Sequence, residues 1–193
     1  MHPYSLDTNE HRKIPLYLSA LAIISAWGLS LVIKFFDLSS LWWIEIPSVI
    51  GFYEIYYSLF NEYLWKWNSL RRLGMVKVPM LFGTWKGTLS SSFNSDNKKE
   101  VEITIKQTWT DIQVCLLSDE SSSCSITASI SLKTAGGPIL TYQYQNDPRP
   151  NTADTMHIHY GTTRLCILNN LLEGEYYSGR DRKNIGLISV KKI

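Results

Sequence analysis

Neither half of the sequence carries an excess of charge. Residues 1–80 hold seven Lys/Arg against six Asp/Glu, and residues 81–193 hold twelve against eleven. So balanced a surface is poorly suited to generic DNA or RNA binding, which draws on a broad basic face. One basic pocket for a small anion remains possible. Cysteine is scarce as well: Cys115, Cys124 and Cys166 are the three, with no CxxC spacing. An odd number without a zinc pattern argues against a disulfide framework and fits a reducing compartment, so all three are expected as small unpaired residues. No catalytic constellation is present. The nearest thing to a metal motif is His157-x-His159, which would need a third protein ligand and an orienting outer shell. None is near, and alternation with Met156, Ile158 and Tyr160 turns these imidazoles away from an apolar interior. Neither a metal nor a catalytic residue is expected.

Long apolar runs are what the sequence has. Ile14–Ile33 is twenty residues without a charge, enough to cross a hydrocarbon layer of roughly 30 Å at 1.5 Å per residue. Its A-x-A-like triplet, Ala20-Leu21-Ala22, lies inside the run, where signal cleavage would be premature, so the segment reads as a span. After Lys34–Ser40, a second run covers Leu41–Phe60, flanked by Trp42 and Trp43 on one side and Trp65 and Trp67 on the other. Such tryptophans mark membrane interfaces, and Trp43 to Trp65 is about 33 Å of helix. Arg12 and Lys13 precede the first run, and Lys66, Arg71, Arg72 and Lys77 follow the second, whereas the loop between has Lys34 with Asp37. The positive-inside rule then puts both ends in the cytoplasm.

Two carboxyls interrupt the second run. Glu45 is near the outer tryptophans and can snorkel. Glu54 falls at the bilayer centre, where a carboxyl is costly and faces protein or water. Asn61, seven residues on, shares its face. Glu54 is either hydrogen-bonded to a serine or backbone carbonyl of the first helix, or a contact between several assembled hairpins.

From Leu81 onward the hydropathy period changes to two. Gly83, Trp85, Gly87 and Leu89 begin it. Val101, Ile103 and Ile105 follow, then Ile112, Val114 and Leu116, then Cys124, Ile126, Ala128, Ile130 and Leu132. Leu140, Tyr142 and Tyr144, then Met156, Ile158 and Tyr160, then Leu165 and Ile167, Gly174 and Tyr176, and Ile188 and Val190 complete the series. Punctuated by Gly, Asn, Asp and Pro, this pattern predicts successive antiparallel strands with one face buried. Eight or nine short strands suggest a closed meander, since closure removes exposed edges. The fold class is therefore membrane α plus all-β: a two-helix transmembrane hairpin followed by a small antiparallel, lipocalin-like β-barrel of about eight strands. The expected division is a cytoplasmic N-terminal tail at 1–13, polar and loose over residues 1–10, the hairpin at 14–69, a connector at 70–80 and the barrel at 81–193.

The C-terminal stretch EGEYYSGRDRKNIGLISVKK (Glu173–Lys192) sets two tyrosines beside a cationic turn, Arg180 to Asn184. Arginine offers a planar fork to phosphate and tyrosine a flat face to a base. The plainer alternative is an exposed hairpin turn with solvated charges.

The whole chain resembles the SMODS-associated two-transmembrane, β-strand-rich effectors of bacterial cyclic-oligonucleotide-based anti-phage signalling (CBASS). The resemblance rests on the two spans, the opening GTWKGTLSSSF (Gly83–Phe93) and the closing LEGEYYSGRDRKNIGLISVKK (Leu172–Lys192). It implies a non-enzymatic effector of the bacterial inner membrane, multi-pass, with both termini cytoplasmic. Its activating ligand would be a cyclic dinucleotide or related cyclic oligonucleotide made by a CD-NTase synthase. The barrel would bind it, the protein would oligomerise among membrane lipid, and the hairpins would disrupt the membrane. No cofactor, DNA or RNA is implied. Taken with the chemistry above, the resemblance favours a ligand set of Trp85, Tyr142, Tyr176, Tyr177, Arg180, Arg182 and Asn184, with Glu54 and Asn61 in transmembrane assembly. The alternative is a membrane-tethered, lipocalin-like carrier for a small apolar ligand. It needs an open greasy lumen, which Trp85, Tyr142, Tyr144 and Tyr160 would fill.

Overall fold

A computed structural model of the chain describes residues 1–36, 45–92, 94–150, 157–179 and 184–193. The chain divides into two compact units, Thr8–Lys77 and a second made of Met1–Asp7 with Val78–Ile193.

The first unit is helical. Helix α1 spans Glu10–Phe35 and α2 spans Glu45–Glu62, followed by a 3-10 turn at Leu64–Lys66 and a short α3 at Asn68–Arg72. At 1.5 Å per residue, α1 is about 39 Å long, and its length and apolar composition suffice to cross a membrane. Ile14, Leu18 and Ala22 form a buried i, i+4, i+8 stripe, while Leu16, Ile23, Ile24, Trp27 and Leu31 are exposed. So much exposed aliphatic surface suits lipid rather than water. Ser25 Oγ and Tyr56 Oη are 2.8 Å apart and tie α1 to α2. At the base of α1, Glu10 is buried and its Oε1 accepts the Lys77 backbone N–H at 2.7 Å. Burial lowers the pKa of Arg71, and the neighbouring Glu10 charge opposes that shift. Trp65, expected at a headgroup interface, is fully buried, whereas Trp67 is exposed. Trp42, Trp43 and Asp37 lie outside the described residues.

The second unit is a closed barrel. Strands β2 (Gly83–Ser91), β3 (Asn94–Gln107), β4 (Asp111–Leu117), β5 (Ser121–Ser131), β6 (Ile139–Pro148), β7 (His159–Leu168), β8 (Leu171–Ser178) and β9 (Ile185–Lys192) form an antiparallel meander, and β9 returns to β2. The ninth strand, β1 (His2–Leu6), comes from the N-terminus, which had been expected to be loose. It inserts between β4 and β5, which pair with each other only at Cys115↔Cys124, Leu116↔Ser123 and Leu117↔Ser122. Two adjacent strands that part leave unpaired backbone groups on both, and a third strand satisfies them.

Three expectations of phase or pairing are corrected. A bulge between Ser125 and Thr127 shifts β5, so Ser121, Ser123 and Ser125 are buried there while Ile126 is exposed. In β7 the buried positions are Gly161, Thr163, Leu165 and Ile167, which turns Tyr160 to the outer wall. Ile158 is exposed as well, and Met156 lies outside the described residues. Finally, Cys115 and Cys124, expected as free thiols, form a disulfide; Cys166 is unpaired. Their Cα atoms are 4.2 Å apart on facing strands, the close spacing of a non-hydrogen-bonded antiparallel pair. Nine residues of separation acquire that meaning only once the hairpin register is known.

A loop of this length, cross-linked in the unfolded chain, contributes roughly 2–3 kcal/mol. Replacing both cysteines by serine should lower the barrel's unfolding free energy by that amount, read by denaturant titration without reductant. An unchanged midpoint would count against the bridge.

Candidate functional site

The barrel interior is unlike at its two ends. At the end where β2 begins and β9 finishes, Trp85 is fully buried, paired across the sheet with the buried Ile103, and Ile105, Leu172 and Val190 are buried in the same barrel. The Trp85 Nε1–H donates to the Leu81 carbonyl at 2.9 Å. Lys192 Nζ lies 5.5 Å from its ring centroid and 4.8 Å from that of Phe82, a cation over two aromatic faces. This end is filled by side chains. Trp85 closes it and has no face left for a ligand.

The opposite end is polar and aromatic. Antiparallel register aligns Tyr142, Thr163, Tyr176 and Gly186 in one row across β6 to β9. The adjoining row aligns Tyr144, Gly161 and Ser178. Ser121, Ser123, Asn146, Thr163 and Ser178 are all buried in the same barrel. Two glycines make the tyrosine packing possible. A Cβ on Gly161 would lie 2.3 Å from Tyr144 Oη, and one on Gly186 would lie 2.3 Å from a ring carbon of Tyr176. Each ring therefore occupies the notch left by a missing side chain on the next strand.

Burial governs the hydroxyls. It pushes the Tyr142 phenol up to about 12, with the Thr163 hydrogen bond working against the shift. Tyr144 is raised still further, by burial first and then by the nearby Tyr176 and Tyr142. The rings of Tyr142 and Tyr144 are 6.4 Å apart, tilted at 59°. At neutral pH both keep their protons, so this end presents hydroxyl donors in a low-dielectric setting where hydrogen bonds to charged oxygens strengthen. Asn184 closes the strand pair beside them: its carbonyl accepts the Ser178 N–H at 2.9 Å, and its own N–H donates to Ser178 Oγ at 3.3 Å.

Of the residues singled out from sequence, Tyr142, Tyr176 and Asn184 converge at this end. Trp85 belongs to the closed end, six residues along β2 and β9 from the row of Tyr176, roughly 20 Å away at 3.3 Å per residue. Tyr177 pairs with Ile185 on the outer wall and is exposed. Arg180 and Arg182 lie outside the described residues. Sequence reasoning missed Tyr144, Thr163, Gly161 and Gly186 as site residues; the two glycines, isolated within strand patterns, were the available signal.

Other parts of the surface offer less. A groove of about 530 Å³ on the outer wall is lined by Lys86, Arg149, Glu100, Glu102 and Asp119, and Lys86 pairs with Glu102 at 3.1 Å. Three carboxylates against two cations disfavour an anion there. Among the described residues no three His, Cys, Asp or Glu side chains converge for a metal, and His159 Nδ1 is 2.9 Å from the His157 carbonyl. In the helices, Glu54 is exposed and Asn61 half-buried.

Two family models match the chain: Cap15, cyclic dinucleotide receptor domain, over residues 76–192, and Cap15, TM helices, over residues 12–66. A CD-NTase-associated protein 15 from Staphylococcus schleiferi is 32% identical over 152 residues, 78% of this chain and 81% of that protein. A protein of the same name from Yersinia aleksiciae is 28% identical over 208 aligned positions, covering 100% of this chain and 97% of its own.

Phenols with raised pKa values favour the folded state below the unfolded value near 10 and lose that contribution as pH climbs through the folded values. In an alkaline absorbance titration, two of the eleven tyrosines should therefore ionise late, together with loss of the fold. Ionisation of all eleven near pH 10 in a folded protein would contradict the buried placement.

Proposed function

This chain belongs to the Cap15 family, whose parts are a cyclic dinucleotide receptor domain and transmembrane helices, and on that premise we propose that it is a non-enzymatic, ligand-gated membrane effector of anti-phage defence. The barrel is the sensor, and its ligand is a cyclic dinucleotide or related cyclic oligonucleotide supplied by a CD-NTase synthase. The observation that carries this reading is the barrel end built of Tyr142, Tyr144, Tyr176, Thr163, Ser178 and Asn184. A cyclic dinucleotide needs flat faces for two bases and donors for two phosphates. The half-buried Tyr176 supplies a face, and neutral tyrosine, serine and threonine hydroxyls and the asparagine amide supply donors. Arg180 and Arg182, between Gly179 and Asn184 in the chain, contribute the opposing charge. The carrier reading loses support because the apolar half of the barrel holds its own side chains.

The output is the hairpin. Both α1 and α2 cross the bacterial inner membrane, with both termini in the cytoplasm as the flanking Lys and Arg direct. Ser25 is engaged with Tyr56, and Glu54 is exposed on the single chain. A carboxyl at bilayer depth must be covered by protein or water, so oligomerisation buries Glu54, with Asn61 at the same surface, and membrane disruption follows. Ligand drives this only to the extent that it binds the assembled state more tightly than the resting one.

Calorimetric titration of the full-length protein in detergent with a panel of cyclic dinucleotides tests the sensor. Tyr176→Ala should weaken binding by roughly 5- to 150-fold, the loss of one base-stacking face. Equal affinity would remove Tyr176 from the site, and no binding by any panel member would sink the receptor reading. For the output, dye release from vesicles holding the protein and its ligand should survive Glu54→Gln and fail with Glu54→Leu. Full release by Glu54→Leu would refute a polar assembly contact.

A further inference from the structure

The least conventional part of the barrel is its seam. Beyond the Cys115–Cys124 disulfide, β4 and β5 separate, and β1 occupies the fork. It runs antiparallel to β4 at His2↔Ile112 and Pro3↔Asp111, and parallel to β5 at Tyr4↔Ala128, Ser5↔Ser129 and Leu6↔Ile130. No other pairing among the described strands is parallel.

The fork is shaped for this segment. The backbone N–H of Tyr4 donates to the Thr110 carbonyl at 3.3 Å and its phenol to the Trp109 carbonyl at 2.8 Å. Tyr4 is also the single buried side chain of β1. His2 Nε2 lies 2.7 Å from Ser125 Oγ, which also accepts the Val114 N–H at 3.0 Å. At the other end, the Asp7 carboxylate accepts the N–H groups of Leu132 and Lys133 at 2.9 to 3.0 Å. Those two bonds hold its pKa below the usual carboxylate value. One aromatic anchor between two polar locks is a recognition pattern for an extended peptide added to a sheet.

β1 is dispensable to the meander. β2 through β9 connect consecutively without passing through it, so its departure breaks no hairpin. Only Asp7–Asn9 separate it from α1, a reach of at most about 14 Å.

We propose that the β4–β5 fork is a strand-acceptor site whose second occupant is β1 of another copy of this chain, so that assembled copies are joined by strand exchange. The segment already seated defines what the fork accepts, and an exchanged β1 makes the same hydrogen bonds as a retained one. Exchange therefore needs little contact energy of its own and is governed by the effective concentration of neighbours, which confinement to a membrane raises. The short tether restricts exchange to immediate neighbours. Each copy both gives and receives, a head-to-tail arrangement that extends into rings or open arrays. This inference rests on the oligomerisation proposed above and on no particular ligand.

Two tagged full-length chains, both carrying Cys166→Ser, would be reconstituted in the same vesicles, one with Ser5→Cys and the other with Ser129→Cys. A short bis-maleimide should give a mixed dimer that increases when cyclic dinucleotide is added, and a chain carrying both cysteines should close on itself as a control of reach. Tyr4→Ala in the donor should reduce the mixed dimer roughly tenfold or more, since it removes the buried anchor. Assembly is measured in parallel by native mass analysis, and ligand binding by calorimetry. An assembled sample with no mixed dimer, while the control closes, overturns strand exchange and leaves the receptor reading standing. A sample that neither binds cyclic dinucleotide nor assembles, and gives no mixed dimer, overturns both.

Discussion

Everything in the barrel depends on the satisfaction of strand edges. A meander of eight short strands would end in two rows of unpaired N–H and C=O groups. Pairing β9 with β2 removes both. A further gap opens where β4 and β5 separate, and a strand from the N-terminal segment of the chain fills it. Closure then creates an inside, and only inside does the alternation of side chains acquire chemical meaning. Trp85 and the aliphatic residues around it share one end; hydroxyls and tyrosines share the other.

That asymmetry connects stability to recognition. The apolar end supplies burial energy and needs no ligand. The polar end is expensive to bury, and hydrogen bonds such as Tyr142 with Thr163 and the Asn184 N–H with Ser178 Oγ offset part of that cost. Gly161 and Gly186 carry part of the expense, since they give up side-chain packing so that Tyr144 and Tyr176 can approach the neighbouring strands closely. A wall of neutral donors and aromatic faces suits a ligand that is both anionic and heterocyclic.

The helical unit follows a parallel logic in another solvent. Exposed leucine, isoleucine and tryptophan on α1 are stable only against lipid, and Ser25 with Tyr56 provides one polar bond that needs no water. Glu54 is the exception to that economy, and its exposure on a single chain is what makes it informative.

Sequence alone determined the elements whose cause is local. The long uncharged run of α1 and the period-two patterning of the strands follow from side-chain spacing, and so do the meander and the inward phase of Trp85, Tyr142 and Tyr176. What depended on long-range pairing could not be read there. The seating of residues 2–6 against β4 and β5, the facing of Cys115 and Cys124, and the bulge that turned Ser123 inward and Ile126 outward are all matters of register. So is the distance between Trp85 and Tyr176, which share an apolar-facing pattern yet lie at opposite ends of the barrel. Local propensity fixes which face a residue turns; which residues then meet is decided by hydrogen-bond register between strands far apart in sequence, and that is a property of the closed barrel alone.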